Sequence, residues 1–142
     1  MPIKIKAPMI ESHTLDKCDK LFENTGSATV IKVRQATQGE EEQRNSLYAL
    51  TERRINPDDS VSFHTHVSID DVFREEVWLT LADCNIEDSE GEPLFKFKGN
   101  RLEDKPAFIK AWHRLDPAMA DEIIEKVHET NIQWGPQGNA RL

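Results

Sequence analysis

The sequence predicts an α+β fold: a mainly helical single domain with a small N-terminal antiparallel sheet and a C-terminal helix pair. Branched residues favour strands at residues 28–35, where they alternate partly, and at residues 61–67, where they alternate strictly. After residue 68, apolar residues recur mainly at helical spacing. A chain of 142 residues fits one domain with one core. We therefore expect a single domain over residues 1–134 and a flexible tail of linker composition over residues 135–142.

The first predicted element is a short helix over residues 14–24. Four apolar residues fall at helical spacing there: Leu15, Cys18, Leu21 and Phe22. Gly26 can close this helix in a left-handed conformation. The strand at residues 28–35 follows it.

The next element is a polar helix that we expect to extend to Arg54. Thr37 and Glu40 have the spacing of a capping box ahead of it. Asn56 and Pro57 halt it, because the residue before a proline is disfavoured in helical conformation.

The two predicted strands, residues 28–35 and 61–67, are expected to pair with each other. Ser68 and Asp71 give a second capping signal, so a central helix is expected over residues 69–84. This helix should pack on the strands through one apolar face, formed by Val72, Phe73, Val77, Trp78 and Leu81.

The C-terminal part predicts a short edge strand at residues 94–98, then helices over residues 105–115 and 117–130. Asp116 is the expected N-cap of the last helix, with Pro117 at its first position. The helix pair carries a continuous apolar seam of Phe108, Ile109, Trp112, Leu115, Met119, Ile123, Ile124 and Val127.

Trp134 follows the last helix, where we expect little core to hold it. Large aromatic residues usually belong to a core, and a minority anchor a partner. For Trp134 both interpretations stay open. We predict Trp112, Ile124 and Trp134 as the residues that bind a partner.

The net charge of −8 is unevenly placed. Residues 1–35 carry six basic and four acidic residues, and the rest carries twelve basic and twenty-two acidic ones. Nucleic acids need a basic footprint, so we expect no nucleic-acid partner. No apolar run approaches the roughly 20 residues that span a bilayer. We therefore expect no membrane association and a cytoplasmic location, with Cys18 and Cys84 as packed thiols.

The candidate catalytic and metal-binding residues are few. His64 and His66 alternate on one strand face, a geometry that zinc sites use, but no second ligand pair has metal spacing and we favour surface histidines. Three acidic pairs, at residues 58–59, 70–71 and 75–76, are explained as a turn, a helix cap and a solvated face. No phosphate loop, nucleophile elbow or metalloprotease signature is present. We expect no enzyme activity, no cofactor and no metal.

One diffuse pattern covers most of the chain, from about residue 28 to residue 134. It consists of residues 28–40, Glu76-Val77-Trp78, Phe108, Ala111-Trp112, Leu115-Asp116-Pro117, Glu122-Ile123, Val127, Asn131 and Trp134. With this pattern the chain resembles the tail assembly chaperones of long-tailed bacteriophages.

The resemblance implies a non-enzymatic protein that coats the tape measure protein in the host cytoplasm during tail assembly. It implies tail tube subunits as a second partner and absence from the finished virion, and it leaves self-association and a frameshifted longer form open. Two other classes also stay open. A structural virion protein, such as a neck or tail completion subunit, would stay with mature particles. An acidic inhibitor that mimics DNA would compete with nucleic acid for a basic host protein.

Overall fold

The computed structural model describes residues 2–22, 26–49, 51–65 and 68–135, of which 49, 51–54 and 63–65 are described by their backbone alone. The strands are β1 Ile10–Thr14, β2 Val30–Arg34, β3 Thr51–Ile55, β4 Val61–Thr65, β5 Leu81–Cys84, β6 Phe97–Lys98 and β7 Arg101–Leu102. The helices are α1 Asp16–Leu21, α2 Gln38–Asn45, α3 Ile69–Thr80, α4 Lys105–Trp112 and α5 Pro117–Thr130, with 3₁₀ segments at Ser46–Ala49 and Ile132–Trp134. The predicted α+β class is confirmed.

The main sheet is antiparallel and has β2 in its centre. β1 pairs with one edge of β2 and β5 pairs with the other. Ile31 and Val33 of β2 are fully buried, because helix α5 packs on this strand. The sheet and α5 thus form two layers around one core.

The predicted strand pairing is wrong. Residues 30–34 pair with β1 and β5, whereas β4 pairs with β3 in a separate hairpin. The polar helix was also predicted too long: α2 ends at Asn45, and Thr51–Ile55 is a strand. The backbone N–H of Asn56 donates to the Ser60 carbonyl at 2.8 Å and closes the hairpin turn. This local pairing prevails over helix formation, because a polar helix here had little apolar surface to bury.

Two further boundaries differ from the prediction. The central helix α3 ends at Thr80, and Leu81 takes an extended conformation that opens strand β5. The first helix begins only at Asp16, after strand β1, which the apolar spacing did not predict. Ser68 is the N-cap residue of α3 as predicted, but its side chain makes no capping hydrogen bond.

The other cap predictions are confirmed. Thr37 and Glu40 form a reciprocal capping box at the start of α2. Asp116 accepts a hydrogen bond from the backbone N–H of Ala118 and caps α5, which begins at Pro117 as predicted. Helix α4 is shorter than predicted and ends at Trp112.

A buried ion pair fastens α2 to the sheet. Arg34 of β2 donates to both Glu40 carboxylate oxygens, at 2.6 and 2.7 Å, and to the Leu79 carbonyl at 2.5 Å. Burial raises the pKa of the Glu40 carboxyl, but hydrogen bonds from Arg34 and Thr37 and the Arg34 charge outweigh it and lower the pKa to about 2. We call Arg34, Thr37 and Glu40 the sheet cluster.

The apolar seam of the C-terminal helices faces the core of the chain. Helices α4 and α5 both pack on α3, so α3 is central among the helices as predicted, but the helix that packs mainly on β2 is α5, where α3 was predicted. The buried core consists of Leu15, Cys18, Ile31, Val33, Val77, Leu81, Ile86, Phe95, Leu102, Phe108, Ala111, Ile123, Val127 and Trp134. No helix in the described part of the chain is long and apolar enough to cross a membrane.

Candidate functional site

A groove of about 710 Å³ lies along the outer side of α5, and we call it the α5 groove. The last turn of α2, the first turns of α3 and the segment after α5 form the rest of its wall. Its lining residues are Arg44, Tyr48, Ile69, Phe73, Asp121, Ile124, Glu125, His128, Glu129, Ile132, Trp134 and Gly135.

Apolar side chains at the groove remain accessible to solvent. Ile69 is 50% exposed, Ile132 is 58% exposed and Tyr48 is 39% exposed. Ile124 lies between them on α5 and is half-buried, because it also packs against the core. Several exposed apolar residues around one concavity are typical of a binding surface, whereas single exposed ones are normal.

A buried charge cluster supports the groove from below. Glu76 of α3 is fully buried, and its two carboxylate oxygens lie 2.8 Å from Arg44 Nε and 2.7 Å from His128 Nε2. The ring of Phe73 packs edge-on against His128, with centroids 5.3 Å apart. The polar ends of Arg44 and His128 are thus bound to Glu76. We call Arg44, Glu76 and His128 the groove cluster.

Aromatic rings complete this end of the groove. The Arg44 guanidinium lies 5.1 Å from the Tyr48 ring centroid and 5.8 Å from that of Trp134. The indole Nε1 of Trp134 donates to the Glu41 carboxylate at 2.6 Å. Cation–π contacts and this hydrogen bond hold both rings in fixed positions.

The outer rim of the groove is acidic. Asp121, Glu125 and Glu129 follow one another at four-residue spacing on α5, so they lie in a row along one side of the helix. We call these three residues the acid row. Lys17 contacts Glu125 at 2.7 Å and Lys126 contacts Glu129 at 3.3 Å. None of the residues that the structure describes forms a hydrogen bond or ion pair with Asp121.

The three predicted anchors do not form one surface. Ile124 lines the groove, as a partner-binding residue should. Trp134 also lines it, but its side chain is only 1% exposed, so the expectation that little core holds it is wrong. Trp112 lies outside the lining and packs beside Phe108, with ring centroids 6.0 Å apart.

Sequence reasoning missed the groove residues Tyr48, Ile69 and Ile132. Of these three, Ile69 could have been found from the sequence, because it lies four residues before Phe73 on α3 and falls on the same helix face. Tyr48 and Ile132 lie in 3₁₀ segments, where no periodicity marks the side that faces the groove.

The chemistry of the thiols and of the metal candidates is limited. Burial raises the pKa of Cys18 to about 12 and that of Cys84 to about 11, so both stay protonated near neutral pH and are weak nucleophiles. Within residues 2–22, 26–49, 51–65 and 68–135, no group of three His, Cys, Asp or Glu side chains could hold a metal ion. The predicted pair His64 and His66 lies outside the side chains that the structure describes.

The chain matches no protein-family model, and no curated protein or solved structure is significantly similar to it. The resemblance to tail assembly chaperones therefore stays a prediction from the sequence, and the α5 groove is the candidate binding site in the part of the chain that the structure describes.

Proposed function

We propose that the protein is a non-enzymatic tail assembly chaperone of a long-tailed bacteriophage, which holds an apolar helical segment of the tape measure protein in the α5 groove. The observation that carries the proposal is the exposure of Ile69, Ile132 and Tyr48 around one groove on an otherwise acidic chain. The protein acts in the host cytoplasm while the tail is assembled, and tail tube subunits are a second proposed partner.

The contacts within the groove favour an apolar protein segment over a polar small molecule. Arg44 and His128, the two basic lining residues, already bind the buried Glu76. A polar ligand would have to compete with these bonds, and an unpaired buried carboxylate is costly. An apolar side chain would bury Ile69, Ile124 and Ile132 and leave the groove cluster intact, which is favourable at roughly 25 cal/mol per Å² of apolar area.

The walls of the groove favour a helix as its occupant. They consist of side chains from α2, α3, α5 and two 3₁₀ segments, so they present no row of strand N–H and C=O groups to an extended peptide. A helix satisfies its own backbone hydrogen bonds and needs only apolar contact. The net charge of −8 would keep a complex with such a helix in solution.

Co-expression with a tape measure fragment tests the proposal. We expect a fragment that is insoluble alone to become soluble with this chain, and to elute with it in size-exclusion chromatography. Ile69→Asp and Ile132→Asp should abolish both effects, because a carboxylate in the groove would be desolvated by the bound helix. Ile55→Asp is the matched control, since Ile55 is 72% exposed and does not line the groove.

Two results would contradict the proposal. If the tape measure fragment is equally soluble with and without this chain, the proposed chaperone function is wrong. Presence of the chain in purified virions would favour the structural alternative, a neck or tail completion subunit.

A further inference from the structure

We infer that the helix held in the α5 groove is a basic amphipathic one, whose Lys or Arg side chains face Asp121, Glu125 and Glu129. The inference builds on the proposed function and names the chemistry of the partner segment. It rests on the placement of the acid row beside exposed apolar residues of the same groove.

The length of the acid row determines the spacing of the basic residues that we expect on a partner helix. Asp121 and Glu129 are eight positions apart, so the row is about 12 Å long at the helical rise of 1.5 Å per residue. A partner helix that runs along α5 would cover this row with two to three of its own residues at positions i, i+4 and i+7. Its apolar residues would lie on the adjoining face and enter the groove between Ile69, Ile124 and Ile132.

The charges around the row are unevenly compensated. Arg44 lies beside the buried Glu76, whose carboxylate compensates the charge of the arginine. The Lys17 side chain that contacts Glu125 is 71% exposed, so it can give way to a partner cation. Glu129 has two neighbours of this kind, with Lys126 Nζ at 3.3 Å and His13 Nδ1 at 3.5 Å from its carboxylate. In the part of the chain that the structure describes, Asp121 is without a cation.

This balance favours a cationic partner over an anionic one. A helix with acidic residues along the same line would place like charges against the row, which costs affinity and slows association. A helix with basic residues gains charge-assisted contacts at the exposed rim, where Glu125 and Glu129 have 42% and 47% of their side chains exposed. The apolar groove therefore supplies most of the affinity for the partner helix, and the acid row determines which charge that helix carries and how it is aligned along α5.

Two designed peptides test the inference with the full chain. Both are amphipathic helices of about 15 residues with the same leucine face, and their polar faces carry lysine in one and glutamate in the other. Isothermal titration calorimetry should show that the lysine peptide binds at least about tenfold more tightly than the glutamate peptide. Raising the salt from about 0.05 M to about 0.5 M should weaken the lysine peptide alone, because the rim charges are screened.

Two triple variants separate the acid row from the net charge. D121K/E125K/E129K should reverse the preference between the peptides. E87K/E90K/E92K, which makes the same change in charge on an exposed turn outside the groove, should keep it. If the first triple variant fails to fold by circular dichroism, D121N/E125Q/E129Q replaces it, and the preference should then disappear.

The outcomes distinguish this inference from the proposed function. Equal binding of the two peptides, or an unchanged preference in the acid-row variants, would overturn the inference even where the tape measure fragment is made soluble. Charge-dependent peptide binding without any effect on the tape measure fragment would overturn the proposed function. The preference of the α5 groove for a basic amphipathic helix would still hold.

Discussion

The sheet cluster and the groove cluster both hold helix α2 in place with a buried arginine and a buried glutamate, but they differ in what surrounds them. Arg34 and Glu40 lie between β2, α2 and the end of α3, where the Leu79 carbonyl accepts from Arg34 and the backbone N–H of Thr37 donates to Glu40. Arg44 and Glu76 lie directly under an open groove, and His128 is their third member. Similar ion pairs thus have two roles. The pair of Arg34 and Glu40 holds α2 against the sheet, and the pair of Arg44 and Glu76 lies at the base of the α5 groove.

The largest expected effect is in the groove cluster. Glu76→Ala would leave Arg44 buried without its carboxylate, so we expect the free energy of unfolding to fall by about 3–5 kcal/mol. Urea denaturation measures this. The double variant R44L/E76L should recover part of the loss, because it removes both charges together. A loss below about 1 kcal/mol would show that water reaches Arg44 through the groove, and the two clusters would then differ in stability as well as in position.

The next effect is the pH dependence of the sheet cluster. The pKa of Glu40 is lowered from 4.5 to about 2, so its stabilising effect is present above pH 4.5 and is lost as the pH falls towards 2. The shift corresponds to about 3 kcal/mol near neutral pH. Glu40→Gln should therefore be less stable than the unmodified chain by about this amount at pH 7 and about equal to it near pH 2.

Thermal or urea unfolding across this pH range checks the prediction, with Glu42→Gln as the control. Glu42 is an exposed residue of the same helix and lies outside both clusters. A difference between Glu40→Gln and the unmodified chain that stays constant with pH would show that Glu40 acts through its shape and not through its charge.

The smallest effect concerns the cap that belongs to the sheet cluster. Thr37 accepts from the Glu40 backbone N–H at 3.3 Å and donates to its carboxylate at 3.1 Å. Thr37→Ala should cost about 1 kcal/mol, the usual value for an N-cap. Thr37→Ser keeps the hydroxyl group and should restore most of it. A full loss in Thr37→Ser would mean that the methyl group, and not the cap, provides the contribution.

The helix starts were predicted correctly where residues close together in the sequence determine them. The box of Thr37 and Glu40 and the cap of Asp116 with Pro117 act within four residues, so their outcome did not depend on the rest of the chain. The boundary between α3 and β5 at Leu81, by contrast, did depend on the rest of the chain. The run of apolar residues continues from α3 into β5, and only the pairing with β2 turns its last four residues into a strand.

The candidate site could be predicted from the sequence only in part. Ile124 was identified through the periodicity of α5, and it lines the groove. Trp134 was misplaced because its position after the last helix indicated exposure, whereas it packs into the core beneath Arg44. The groove itself unites residues from Tyr48 to Gly135 that no local pattern connects. A concave surface formed by five elements, namely α2, α3, α5 and two 3₁₀ segments, is a property of the tertiary fold.

The contacts between the beginning and the end of the chain determine when the protein can fold during its synthesis. Backbone N–H groups of Lys17 and Cys18 donate to the Glu122 carboxylate, and His13 contacts Thr130, across more than 100 residues in each case. While a ribosome is still adding residues before α5, β2 has no helix to cover it, and the side chains of Ile31 and Val33 face solvent or a cellular chaperone. The core around β2 is therefore expected to form only after α5 has left the ribosome, and a product cut short before α5 should be removed by proteases.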